Sequence, residues 1–337
     1  MAIKKTDAHP NIAYGKNGIL LINLGTPSST SVKDIRKYLK EFLSDRRIIE
    51  INKVLWWFVL NLIILNTRPA KTSKIYKEIW MNDINQSPLR YYTNQQKIKL
   101  SKKFKSDKVI VDYAMRYGKP SIKDKILKLK EKGCENIIIL PLYPQYSSAT
   151  IGSVCDSVFK TLLDMRWQPS IQIVPHYESN PLYIKALALS LKKSIATLKW
   201  NPDLILASYH GIPKRYFMNG DPYHCHCHKT TRMLKEKMKI KIPFETCFQS
   251  RFGPEEWLTP YTEDKLSELA KNNIKNVIVI CPGFSSDCIE TLEEINLRAR
   301  ETFLKSGGKN FFMVPCLNDN SDHINLLSTL VKKYLNG

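Results

Sequence analysis

Mostly unbroken apolar runs alternate with amphipathic stretches along this chain. Ile19–Asn23, Val109–Tyr113, Asn136–Leu140 and Ile171–Val174 lie in the first half. Leu204–Ser208, Phe244–Gln249, Asn276–Cys281 and Phe311–Val314 lie in the second. Runs of this length predict strands buried on both faces. Between them, Ser31–Leu43, Ser121–Lys132, Pro181–Leu198 and Thr262–Asn272 begin with capping residues or proline and predict helices. The alternation predicts an α/β fold of two similar lobes, with parallel sheets flanked by helices. His-Tyr-Glu-Ser-Asn between Pro175 and Pro181 interrupts the pattern and marks the break. The expected organisation is an N-terminal lobe over 1–176, a C-terminal lobe over 177–316, and a C-terminal helix over 317–337 packing back on the first lobe. No G-x-G-x-x-G follows any strand, which argues against a dinucleotide site.

At 337 residues the chain is long enough for a large core. The formal net charge is +21, carried by 40 Lys and 12 Arg. The lysines are spread over most predicted helices, and the densest run, Lys97–Lys108, reads as a helix's solvated face and exit. That distribution argues against nucleic acid, whose readers concentrate Arg and aromatic residues in one patch. Eight scattered cysteines show no disulfide framework, and Met1–Lys16 has no apolar signal region. A cytoplasmic protein is expected. Val54–Leu65 (VLWWFVLNLIIL) is too short to span a bilayer, which needs about 20 residues. It reads either as a buried core helix or as an apolar lip dipping into a membrane's inner face, with Arg46, Arg47, Lys53 and Arg68 at the headgroups.

Candidate chemistry gathers after the predicted strands. Ser208-Tyr209-His210-Gly211-Ile212-Pro213 puts one histidine in a tight turn just past a buried strand. In open α/β sheets, ligands bind beyond the strands' carboxyl ends. A turn histidine that only caps local backbone is the alternative. Cys281-Pro-Gly-Phe284-Ser-Ser-Asp287-Cys-Ile-Glu290-Thr-Leu-Glu-Glu294 runs from another strand into a carboxylate-bearing helix. Glu290 and Glu294, four apart, share a helix face, and a partly desolvated carboxylate there suits proton acceptance. The alternative is an ordinary exposed helix. Gln249–Trp257, Tyr143–Tyr146 and Met115–Gly118 add aromatic and Arg side chains to the same edge. Aromatic faces and guanidinium groups fit a large planar ligand with carboxylates. His224-Cys225-His226-Cys227-His228 lacks a second ligand cluster at metal spacing. A solvent loop is its default reading and a metal site the alternative.

These segments together resemble the ferrochelatase family, which inserts ferrous iron into a porphyrin. The resemblance runs from Leu20-Leu-Ile-Asn-Leu-Gly-Thr-Pro to Leu317-Asn-Asp. It includes Phe42-Leu-Ser-Asp-Arg-Arg, Ser87-Pro-Leu, Met115-Arg-Tyr-Gly, Leu142-Tyr-Pro-Gln-Tyr-Ser, Ser208-Tyr-His-Gly-Ile-Pro, Ser250-Arg-Phe-Gly-Pro-Glu-Glu-Trp-Leu and Phe284-Ser-Ser-Asp-Cys-Ile-Glu. It implies two Rossmann-like lobes, each a four-stranded parallel sheet flanked by helices, with porphyrin in the cleft between them. It places the catalytic, metal-contacting pair on His210 and Glu290. Porphyrin contacts fall on Arg68, Arg116, Tyr117, Tyr143, Trp257 and Phe284, and a proton or iron path on Asp287 and Glu294. Protoporphyrin IX and Fe²⁺ are then the expected partners, with Fe²⁺ as substrate and no tightly bound cofactor. Related chelatases acting on coproporphyrin or cobalt, and a non-catalytic porphyrin or haem carrier, are the alternatives.

This chain departs from the family at three places. Leu24 stands where some members carry a Met or Tyr cleft ligand, and Cys288 where many carry a histidine before the catalytic glutamate. Ser148 replaces a cysteine of the animal members' iron–sulfur set, and the C-terminal cysteine extension is missing, so no such cluster is expected.

Overall fold

A computed structural model describes residues 13–104 and 106–335. The first 12 residues of the expected N-terminal lobe, Lys105 of the lysine run and the last two residues of the C-terminal segment lie outside the described residues. All eight apolar runs are strands: β1 (Lys16–Gly25), β2 (Val109–Tyr117), β3 (Cys134–Pro141), β4 (Ser170–Ile173), β5 (Leu204–His210), β6 (Phe244–Gln249), β7 (Asn276–Ile280) and β8 (Asn310–Met313). They form two parallel four-stranded sheets, ordered β2-β1-β3-β4 and β6-β5-β7-β8, flanked by helices.

The two sheets have the same topology. In each, the strand order reverses beside the central first strand, between β1 and β3 and between β5 and β7. A crevice opens beyond the strand ends at such a reversal. The segments placed there are Thr26 and Tyr143 in the first lobe, and His210 with the loop leading to Glu290 in the second. Gly25 makes the first turn possible: its φ is +116°, and a Cβ there would stand 1.9 Å from Tyr117 O.

One core runs through both lobes. Ile19, Leu21, Ile138 and Leu140 of the first sheet join Ile205, Ala207, Ile278 and Ile280 of the second in a single buried cluster. The Pro181–Thr197, Tyr223–Met238 and Ser321–Lys332 helices supply the rest of it. The Ser321–Lys332 helix packs against both the Pro181–Thr197 helix and the Pro88–Ser101 helix of the first lobe. Gln96 on that last helix donates to Ser286 Oγ and to the Asn318 carbonyl, both at 2.9 Å, and so pins two second-lobe loops.

The apolar stretch 54–65 is not a buried core helix. Lys53–Phe58 is α-helical and Val59–Ile64 continues as a π-helix into the Leu65–Ile79 helix. Val54, Trp57 and Leu62 are 67%, 57% and 61% exposed, whereas Leu60 and Ile64 face inward. No helix among the described residues is long and apolar enough to cross a membrane.

Candidate active site

His210 is the last residue of β5, register partner of Gln249 at the end of β6. The turn after it is held on both sides. Gly211 N–H donates to Gln249 O at 2.8 Å, and Leu258 N–H donates to Ile212 O at 3.0 Å. A Cβ on Gly211 would stand 2.9 Å from Gln249 O and 3.2 Å from Trp257 Cε3, so only glycine lets these segments close. The same pairing sets the Trp257 ring 6.4 Å from the His210 ring. His210 Nδ1 lies 2.6 Å from Gly211 O. A carbonyl only accepts, so Nδ1 carries the proton and Nε2 offers its lone pair in the neutral ring.

Glu290 opens a π-helix, Glu290–Ala299, rather than the α-helix its spacing predicts. The wider π turn keeps Glu290 and Glu294 on neighbouring positions of one face, and such segments often mark functional sites. Gln249 Nε2 donates to Glu290 O at 2.7 Å, while Gln249 Oε1 accepts from Ser208 Oγ at 2.8 Å. One buried glutamine therefore braces both the histidine turn and the glutamate helix.

The three carboxylates on this segment have different surroundings. Asp287 is buried and accepts from Asn318 Nδ2 at 2.6 Å, Cys316 N at 3.1 Å and Thr291 Oγ1 at 3.2 Å. Glu294 is buried and accepts from Ser250 N at 2.6 Å and Ser250 Oγ at 2.5 Å, fixing Ser250 at φ +68°. Glu290 makes no ion pair among the described residues, and it lines a narrow cavity with Thr26, Tyr76, Ser87 and Cys288. Burial first, then the Glu290 charge, pushes the Tyr76 hydroxyl and the Cys288 thiol well above their ordinary values. Both stay protonated beside Glu290 at neutral pH.

The facing wall comes from the first lobe. Tyr143 OH and Thr26 Oγ1 are buried without a hydrogen-bond partner among the described residues, as is Trp257 Nε1 on the other side. Unpaired buried polar atoms are uncommon, and three around one crevice suit a ligand's polar groups or water. Phe284 is half-buried on the loop after β7. Arg68 reaches across from the Leu65–Ile79 helix, its guanidinium 4.1 Å from the Phe252 ring centre.

Arg116 and Tyr117 are engaged within the protein. Arg116 Nη2 bonds Asp45 Oδ2 at 2.5 Å, and Tyr117 OH donates to the same oxygen at 2.7 Å. Ser153 Oγ joins them at 2.5 Å. Burial alone would raise Asp45, but Ser153, the Arg47 N–H, Tyr117 and Arg116 outweigh it and hold the carboxyl below its usual range. The pair thus stands behind the Tyr143 wall as a charged brace.

His224–His228 is not a solvent loop but the start of the Tyr223–Met238 helix. Helical spacing puts His224 and His228 together, ring centres 4.4 Å apart against Phe248, with Cys227 fully buried. His226 points the other way and meets His176. The helix starts at Tyr223, whose N–H donates to Asp221 Oδ1 at 3.0 Å.

Sequence reasoning gave no role to Gln249, Asp45, Thr26 or Tyr76. For Gln249 the one available sign was its place at the end of a predicted strand.

Comparison with known proteins shows the family and the fold. The ferrochelatase family profile matches residues 16–335. A ferrochelatase of Allorhizobium ampelinum is 51% identical over 98% of this chain and 96% of its own length. One of Rhizobium meliloti is 51% identical over 98% of both chains. Among solved structures, the sirohydrochlorin chelatase SirB of Bacillus subtilis subspecies spizizenii in complex with cobalt superposes with a TM-score of 0.57. It shares 11% identity over 94% of each chain, a likeness of fold. The chain belongs to the ferrochelatase family.

Proposed function

We infer that this chain inserts ferrous iron into protoporphyrin IX, releasing the two pyrrole protons, with His210 and Glu290 as the reacting side chains. One observation supports this pairing above others: Gln249 braces the His210 turn and the Glu290 helix at once. Imidazole and carboxylate both suit ferrous iron. The Nε2 lone pair of His210 either takes a pyrrole proton or meets the incoming ion. Glu290, which makes no ion pair among the described residues and stands beside protonated Tyr76 and Cys288, is the second proton acceptor. Cys288 adds no imidazole to that relay, so the acceptor role rests on Glu290.

Asp287 and Glu294, expected on a proton or iron path, have their oxygens committed to Asn318, Cys316, Thr291 and Ser250. Their role in this reading is to hold the Glu290 helix at the cleft edge. Tyr143, Trp257 and Phe284 line the plane of the macrocycle, with Arg68 at its rim for a carboxylate. Arg116 and Tyr117 support the Tyr143 side through Asp45. The exposed ridge of Val54, Trp57 and Leu62, near Arg46 and Lys53, suits peripheral contact with an anionic bilayer, from which an apolar porphyrin would enter.

The test is anaerobic. Purified chain is mixed with Fe²⁺ and protoporphyrin IX, and porphyrin fluorescence is followed beside parallel reactions with coproporphyrin and with Co²⁺. Fluorescence loss well above the protein-free rate, fastest with Fe²⁺ and protoporphyrin IX, is expected. Binding without metallation would mean a carrier; faster turnover of coproporphyrin would change the substrate.

A further inference from the structure

A second group of metal-ligating side chains lies outside the cleft. His176 and Glu178 are on the segment after β4, and His226 is on the Tyr223–Met238 helix. Each offers one donor atom, and these atoms lie within 4.8 Å of one another. The two imidazole ring centres are 4.5 Å apart. The Glu178 side chain is only 3% exposed, whereas His176 is open to solvent. We propose that His176, Glu178 and His226 form a binding site for one divalent first-row transition-metal ion, separate from His210 and Glu290.

The donor set is the argument. Two imidazoles and one carboxylate suit Zn²⁺, Co²⁺ and Fe²⁺, and the same set recurs in zinc enzymes. Glu178 is held in place before any ion arrives. Thr230 Oγ1 donates to its main-chain carbonyl at 3.0 Å, and Ser179 Oγ donates to its Oε1 at 3.1 Å. The side of the cluster facing solvent is His176, which gives the ion its way in.

Two contacts oppose the ion and set a modest affinity. Lys229 Nζ holds Glu178 Oε1 at 2.9 Å and adds a like charge. Oε2, now 2.6 Å from His176 Nδ1, is the oxygen left for the metal, which takes the place of the proton between them. His226 Nδ1 accepts from Tyr146 N–H at 3.2 Å, so Nε2 carries the proton of the neutral ring, and ligation through either nitrogen gives up that bond.

The proposal stands apart from the chelatase reading, because its test reads metal binding without porphyrin. Co²⁺ is titrated into the full chain carrying His210→Ala and Glu290→Gln, and equilibrium dialysis and the ligand-field absorption of Co²⁺ are measured. One bound equivalent is expected. It is lost on adding His176→Gln or His226→Gln, and binds more tightly with Lys229→Met. His226 bonds Tyr146, so melting curves check its variant; His176 is exposed, and its variant decides if the other unfolds. No bound Co²⁺ in the doubly substituted chain would overturn the proposal. So would Co²⁺ retained after His176→Gln, or no tightening with Lys229→Met.

Discussion

Gln249 Nε2 donates to the Glu290 carbonyl at 2.7 Å, while the Gln249 main chain accepts from Gly211, the residue after His210. The two proposed reacting groups are thereby set by one buried residue at the end of the edge strand β6. Replacing it with leucine, of similar size, leaves the Glu290 carbonyl and the Ser208 hydroxyl without that partner. An unpaired buried polar group costs about 1–3 kcal/mol. Gln249→Leu should melt lower and lose kcat with little change in the KM for porphyrin. A raised KM at unchanged kcat would show that Gln249 serves binding and not the placement of Glu290.

Glu290→Gln keeps the shape of the side chain and removes its basicity. Turnover should fall roughly 10²- to 10⁴-fold, the usual worth of a positioned acid–base group. Turnover close to the parent's would remove Glu290 from proton transfer.

Tyr143 tests whether the unpaired polar atoms of the crevice await a ligand. In the free chain Tyr143→Phe removes a buried hydroxyl that has no partner among the described residues, so stability should hold or rise. Porphyrin affinity should fall about fivefold, the worth of about 1 kcal/mol, by fluorescence quenching. A loss of stability with unchanged porphyrin affinity would make the hydroxyl structural.

Acid stability depends on a buried histidine of the Ser321–Lys332 helix. His323 is buried near the start of the Ser321–Lys332 helix, and its Nδ1 donates to Asn318 O at 2.6 Å. Burial, only partly offset by that carbonyl, pushes its pKa from 6.5 down to about 4. Between those values the unfolded chain binds a proton that the folded chain refuses. Its contribution is therefore complete above pH 6.5 and is lost as pH falls towards 4. The loss is roughly 3 kcal/mol across that window. Because Asn318 also holds Asp287, the Glu290 helix should loosen with it. Chemical denaturation from pH 7 to 4 should show a smaller decline for His323→Gln than for the parent; equal declines would contradict this.

The fold was legible because the central strands are buried on both faces and so read as nearly unbroken apolar runs, as in Val277–Ile280. His210 was legible because Gly211 and Pro213 mark a turn at a strand's end. The histidine–cysteine run misled because alternating His and Cys shows no apolar helical period, and nothing local reveals that Cys227 is buried against the core. The π-helix at Glu290 was invisible because a period of four residues fits either helix type over so short a span. Gln249 and Asp45 were missed because each acts through partners distant in sequence, such as Glu290 and Arg116. The exposure of Val54, Trp57 and Leu62 was open because apolar composition alone does not say what covers a helix.

The central claim is that His210 takes part in metal insertion and is not merely a turn residue. The direct measurement is anaerobic haem formation by His210→Ala, with porphyrin binding followed on the same sample by fluorescence. Porphyrin binding close to the parent with haem formation abolished is the predicted result. Haem formation at a near-parental rate would contradict the account.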